Sequence, residues 1–206
     1  MKRLVFNTLR TFTAAALLCV ASAATAQSKD DFDPFAADIE ENVSTPAVPA
    51  KYSAAVASAM GNLARTLKEA GYKVEKVRSG EVVMVVIPSS TLFAPNALTL
   101  KPEAAAKLRP LVPYVKRSDK YKVVIAAHAD NTGDTKYADE ITAERATAVD
   151  AFFEKEIGVE SQAIPYGLGF DEPVAPNTGI NNRAANRRIE IYFIPTKEYI
   201  DNIKKR

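Results

Sequence analysis

The fold class this sequence predicts is α/β in the α+β sense: a two-layer sandwich in which helices pack against a small mixed β-sheet. Three observations carry that expectation. Apolar residues recur at helical spacing over 52–70 and again over 143–157. Runs rich in β-branched residues stand at 81–88, 122–127 and 188–194. Helical and extended stretches also alternate along the chain, an order that places helices on a sheet rather than building an all-α or all-β domain.

The first residues read as a targeting segment. Met1-Lys2-Arg3 with Arg10 is a positive start, and Phe12 to Ala23 is apolar but too short to span a bilayer comfortably. Ala24-Thr25-Ala26 is a small-x-small cleavage site, so residues 1–26 are expected to be an export signal and Gln27 the mature start. Cys19, the only cysteine, follows Leu18 where a lipid-modified cysteine would follow a small residue, so it belongs to the apolar run. The mature chain would then hold no disulfide and depend on its core alone.

Losing Lys2, Arg3 and Arg10 takes three of the 27 basic residues, leaving 24 against 25 acidic ones. That balance, with no basic stripe interleaved with aromatics, argues against nucleic acid as a partner. Residues 27–50 are rich in acids (Asp30, Asp31, Asp33, Asp38, Glu40, Glu41) and broken by Pro34, Pro46 and Pro49. Few large apolar residues offset the entropy of ordering them, so a flexible linker is expected there. The folded domain is expected over 51–206, with its core at about 81–194.

Ala55, Val56, Ala59, Met60, Leu63 and Leu67 mark one helical face up to Ala70, and Gly71 closes it. Residues 72–77 alternate as a strand, and Ser79-Gly80 turns the chain into the unbroken apolar run 82–87, a strand covered on at least one face and central in its sheet. After a loop containing Phe93, Pro102 opens a helix through Leu108, Leu111 and Val115, which Pro110 and Pro113 should break near Arg109. Another strand follows at 122–127. A helix then runs from Ala143 to Ile157, with Thr142 as its N-cap and Gly158 at its end. A short strand near 164–170 precedes 188–194, whose alternation predicts a half-exposed edge or antiparallel strand.

The strand at 122–127 releases the polar run His128-Ala129-Asp130-Asn131-Thr132-Gly133-Asp134, and Arg145 comes fifteen residues after Asp130. With Thr142 as cap, Arg145 would sit in the first turn, where a cation opposes the helix dipole at a cost of roughly 0.3–1 kcal/mol. An anion nearby would offset that: Asp130, Asp139, Glu144 or the carboxylate of a ligand. An Asp for an ammonium and an Arg fork for a carboxylate would together suit the head group of an amino acid. The same two residues would equally suit a structural Asp130–Arg145 ion pair, and bare chemistry does not separate the two readings.

The motif His128-Ala129-Asp130-Asn131-Thr132-Gly133, with Tyr137, Ile141-Thr142-Ala143-Glu144-Arg145-Ala146 and Asn182-Arg183-Ala184-Ala185-Asn186-Arg187-Arg188-Ile189-Glu190, resembles the C-terminal OmpA-like domain. Outer-membrane protein A, the peptidoglycan-associated lipoprotein and MotB share that domain, and the resemblance spans about Glu81 to Ile194. It implies non-covalent peptidoglycan binding through the diaminopimelate of the stem peptide, in an exported protein of the Gram-negative periplasm that supports the cell envelope. On the matching positions, Asp130 and Arg145 would hold the charged groups of the ligand, Phe93 would line the pocket, Asn131 and Thr132 would offer backbone amides, and Ile141 an apolar wall. Arg187 and Arg188 would be secondary contacts, although a charged start to an edge strand accounts for them equally well. The chain departs from the family pattern at Ala94, Ala129, Ala138 and Asn182, where a polar residue, Thr, Asn and Gly are usual.

Two rivals remain at this stage. A metal-dependent hydrolase would need more ligands than the single His128 supplies, so no metal, cofactor or catalysis is expected. An interaction scaffold would keep the fold without the ligand and bind other envelope or outer-membrane proteins. The sequence does not fix the oligomeric state.

Overall fold

The computed structural model describes residues 33–158 and 163–205. The expected export segment lies outside them. In chain order come α1 (Ile39–Ser44), α2 (Ala50–Glu69), β1 (Lys73–Val77), β2 (Val82–Pro88), α3 (Ser89–Leu92), α4 (Ala104–Leu108) and α5 (Val112–Val115). Then follow β3 (Tyr121–His128), α6 (Thr135–Ile157), β4 (Ile164–Gly167), α7 (Gly179–Asn186), β5 (Arg188–Pro195) and α8 (Lys197–Lys204). The strands form one mixed sheet in the order β1-β2-β5-β3-β4. Only β3 and β4 run parallel, and α6 is the crossover between them. Pro110 and Pro113 split the third helical stretch into α4, a 3-10 turn over Arg109–Leu111 and α5, as their missing amide donors require.

The main core lies between the helices and one face of the sheet. Val56, Met60, Leu63 and Leu67 of α2 and Ala146, Val149 and Phe153 of α6 meet Val83, Val85, Ile125, Ile189, Ile191 and Phe193. The helical period seen in the sequence is thus the stripe that each helix buries. Gly167 brings α6 close: a Cβ there would lie 2.3 Å from the Ala143 backbone nitrogen. That contact fixes α6 against the end of β4.

The opposite face of the sheet is also covered. Val82, Met84, Val124, Ala126, Ile164 and Ile194 form a second cluster, against which Ile39 and Val43 of α1 pack. The flexible-linker expectation for 27–50 therefore fails for residues 33–50. Asp38 caps α1, accepting from the Glu41 amide at 2.8 Å. Buried Asn42 donates to Pro34 O and to Tyr166 Oη, both at 2.6 Å, while Lys122 Nζ donates to Asn42 Oδ1 at 3.0 Å. Arg78 reaches the carbonyls of Val43 and Ser44 at 3.0 Å each. Two apolar side chains and four polar partners offset the ordering entropy that the acidic composition alone suggested would win.

Of the two readings offered for 188–194, the antiparallel strand holds and the half-exposed edge is corrected. β5 pairs antiparallel with β2 on one side and β3 on the other, and all eight of its residues are buried. Its alternation has a different cause. Arg188, Glu190 and Tyr192 share the second face, where Arg188 Nε donates to Glu190 Oε1 at 2.8 Å and Tyr192 Oη to Glu190 Oε2 at 2.5 Å. His128, whose β3 register partner is Arg188, places Nε2 3.4 Å from Glu190 Oε2. Burial works against the Glu190 charge, yet His128, Arg188 and Tyr192 hold its carboxyl well below the usual carboxylate range.

Candidate functional site

The site begins where β3 ends. Asp130 is buried, and its Oδ1 accepts from the Thr132 amide at 2.8 Å in a local Asx turn. Gly133, at φ 102, continues the turn into Asp134. Asp134 caps α6 by accepting from the Tyr137 amide at 2.8 Å. The helix therefore starts at Thr135, not at Ala143, and Thr142 is not its cap. Thr142 Oγ1 instead donates to Ala138 O at 2.8 Å and accepts from Gly169 N at 3.0 Å, which satisfies the hydroxyl in mid-helix. The dipole cost assigned to Arg145 disappears with that cap.

Arg145 stands one turn beyond Ile141 on the buried face of α6, and both are less than a tenth exposed. Its Nε donates to Ala97 O at 3.0 Å and its Nη2 to Ala94 O at 3.4 Å. Its Cζ lies 4.9 Å from the centroid of the Phe93 ring. Phe93, closed by a bridge to Leu100, anchors the loop that supplies both carbonyls. The loop is tied back to α6 by Tyr137 Oη, which donates to Asn96 Oδ1 at 3.2 Å. The family departure at Ala94 costs Arg145 nothing, because the carbonyl and not the side chain makes the contact.

Among the described residues no carboxylate lies within ion-pair distance of Arg145, so the structural Asp130–Arg145 bridge is not formed. Asp130 pairs instead with Arg187, whose Nη1 donates to Oδ2. Burial pushes the Asp130 carboxyl up, but hydrogen bonds from Thr132 and then the Arg187 guanidinium outweigh it and leave the group below its ordinary value. Burial lowers the Arg145 guanidinium, opposed by Tyr137 and reinforced by the nearby Arg187. Arg187 thus stands between the two charged groups, paired with Asp130 and close enough to Arg145 to act on its charge.

The expected residues fall into three groups. Phe93, Ile141 and Arg145 are buried together with the loop and α6; Asp130, also buried, is met by the Thr132 amide and by the half-exposed Arg187; and Asn131 and Thr132 are exposed in the turn. Arg188 is not part of the site: it points to the other face and donates to Glu190, Asn186 O and Glu172 O. A cavity of about 180 Å³ lies on that other face, lined by residues that include Val86, Ala184, Arg188 and Glu190; Arg188, a secondary candidate, is the one expected ligand residue among its lining. Sequence reasoning missed the supporting Asn186, buried at the end of α7. Its side chain accepts from the Val174 and Ala175 amides and donates to Ala175 O, holding the loop that leads to Arg187. No local pattern in the sequence announces such a loop clamp. No group of three His, Cys, Asp or Glu among the described residues could hold a metal ion. No helix of theirs is long and apolar enough to cross a membrane.

Comparison with known proteins places this geometry. Residues 92–187 match the OmpA family. The chain is 30% identical over 129 residues to "Probable lipoprotein YiaD" of Escherichia coli, covering 62% of this chain and 58% of that protein. It spans less than two thirds of the length of the first curated relatives it matches. A MotB-like protein of Desulfovibrio vulgaris superposes with a TM-score of 0.60 at 26% identity, over 69% of this chain and 94% of that one. The cell wall anchor of the T6SS from Pseudomonas aeruginosa superposes with a TM-score of 0.54 at 25% identity, over 65% and 94% respectively.

Proposed function

We propose, from the premise that this chain carries an OmpA family domain over residues 92–187, that it binds peptidoglycan non-covalently through the diaminopimelate residue of the stem peptide. Peptidoglycan-binding proteins of the family are non-enzymatic, so the site is read as a receptor and not as a catalyst. One observation carries the reading: Arg145 is 8% exposed, is aligned by two carbonyls and an aromatic ring, and has no carboxylate partner among the described residues. A buried guanidinium left unpaired is costly, and a ligand carboxylate would offset that cost through a bidentate contact.

Asp130 would take the ammonium of the same α-centre, and Phe93 and Ile141 would flank the methylene chain. Asn131 and Thr132 would present the turn to the ligand from the solvent side. Within a stem peptide a diaminopimelate residue carries both charges at its free end, whereas a lysine residue, its α groups in peptide bonds, offers an ammonium alone and leaves Arg145 without a partner. An exported protein of the cell envelope, with residues 1–26 as its export segment, fits relatives named as a lipoprotein and as a cell wall anchor.

The test is co-sedimentation of the mature protein with insoluble sacculi. Wild type should pellet, free diaminopimelate should release it and Nα-acetyl-lysine amide should not. Asp130→Asn and Arg145→Ala should stay in the supernatant with unchanged circular dichroism. Equal sedimentation of wild type and both variants would refute the site and favour a protein-interaction scaffold.

A further inference from the structure

Arg187 occupies the position at Asp130 that the proposed function assigns to the ammonium of the ligand. The two partners differ in access: the Asp130 side chain is 5% exposed and that of Arg187 42%. They differ in constraint as well. The Arg187 backbone is fixed, its N–H donating to Arg183 O at 3.1 Å and its carbonyl accepting from Ser89 N at 2.9 Å. Its side chain, in contrast, makes only the Asp130 bond among the described residues. The adjacent Arg188 is held by Glu190, Asn186 O and Glu172 O and stays where it is. Freedom to move is therefore confined to the one arginine that covers the carboxylate.

Charge points the same way. While Arg187 pairs with Asp130, an arriving ammonium meets a carboxylate whose charge is already matched. If Arg187 swings into solvent, the ligand restores the match: Asp130 faces its ammonium and Arg145 its carboxylate.

We propose that Arg187 is an internal competitor, a cation that stands on Asp130 in the free domain and must be displaced by the ammonium of any ligand, so that it sets how much the Arg145 contact has to contribute before binding becomes measurable. An amine without a carboxylate must displace Arg187 and gains nothing from Arg145. A zwitterionic end displaces Arg187 and gains the Arg145 contact as compensation. The inference rests on the peptidoglycan reading and adds to it a displacement cost that weakens every ammonium ligand by the same factor, so that the Arg145 contact alone separates a zwitterionic end from a bare amine.

The experiment is a calorimetric or NMR titration of free meso-diaminopimelate and of Nα-acetyl-lysine amide, which carries an ammonium without a carboxylate, into wild type, Arg187→Ala, Arg187→Gln and Arg187→Lys, each checked for folding by circular dichroism. Opening an ion pair of ordinary strength before binding weakens apparent affinity roughly fivefold. Arg187→Ala should therefore bind diaminopimelate roughly fivefold tighter than wild type and should bind Nα-acetyl-lysine amide tighter by the same factor. Arg187→Gln keeps most of the length without the charge and should behave likewise, which covers a failure of the alanine variant to fold. Arg187→Lys should stay near wild type. Wild-type binding that weakens or stays unchanged in both neutral variants would overturn the internal-cation role alone. No binding of diaminopimelate by any variant would overturn the cell-wall reading and this inference with it.

Discussion

Replacing Arg145 by lysine separates the shape of the guanidinium from its charge. Lysine keeps the positive charge near the same place, so long-range attraction to a ligand carboxylate survives. It loses the planar fork, and with it one of two parallel hydrogen bonds to that carboxylate, each worth about 1.5–3 kcal/mol when charge-assisted. The variant also gives up one of the two tethers, to Ala97 O or Ala94 O, and the stacking of the guanidinium at 4.9 Å on Phe93. Cation–π stacking of this kind contributes about 0.5–2 kcal/mol, most of which goes to stability and pre-orientation. A net loss of about 2 kcal/mol in binding corresponds to roughly a thirtyfold rise in Kd. Calorimetric titration with meso-diaminopimelate measures that directly, and a thermal melt separates it from unfolding. A folded Arg145→Lys variant whose Kd stays within about threefold of wild type would show that charge alone suffices, and the bidentate clasp would be wrong.

Acid should weaken the site through Asp130. Its folded pKa lies below the unfolded value, so its contribution to stability is complete above about pH 4 and is lost as pH falls through the folded pKa. Asp130→Asn should flatten that acid limb in pH-dependent melts. Gly167→Ala should destabilise the domain by about 1–3 kcal/mol, because its Cβ would meet the Ala143 backbone at 2.3 and 2.6 Å. Ligand affinity should fall as well, since α6 carries both Ile141 and Arg145; an unchanged melt and Kd would show that the helix can shift freely. Phe153→Ala removes a fully buried ring and should cost about 3–5 kcal/mol in denaturant unfolding, leaving binding intact in whatever fraction stays folded.

The strands and long helices were legible because their signals are local. The β-branched run of β2 and the 3.6-residue stripes of α2 and α6 depend on neighbours in sequence. Asp130 and Arg145 were legible as charged groups, but the partner each selects was not. Arg187 lies 57 residues from Asp130, and no local pattern tells which of several cations a carboxylate will meet. Arg187 and Arg188 look interchangeable in sequence, yet at the start of a strand successive side chains turn to opposite faces. One therefore meets Asp130 and the other Glu190. The start of α6 was misplaced because Asp134 and Thr142 are both good capping residues, and only the contact of Thr142 with Gly169 shows that its hydroxyl is used elsewhere. The α1 segment was misread for a related reason: its anchors Tyr166, Lys122 and Arg78 lie far along the chain from Asn42, Val43 and Ser44.

Those anchors have a mechanical consequence. Tyr166 belongs to β4, Lys122 to β3, and Arg78 follows β1, so α1 is fastened across the width of the sheet rather than to one border. Tyr166 and Lys122 both hold Asn42 and Arg78 holds the next two carbonyls, so the hold on α1 is concentrated on three consecutive residues, 42–44. Releasing that one short stretch would free the sheet face that Ile39 and Val43 cover.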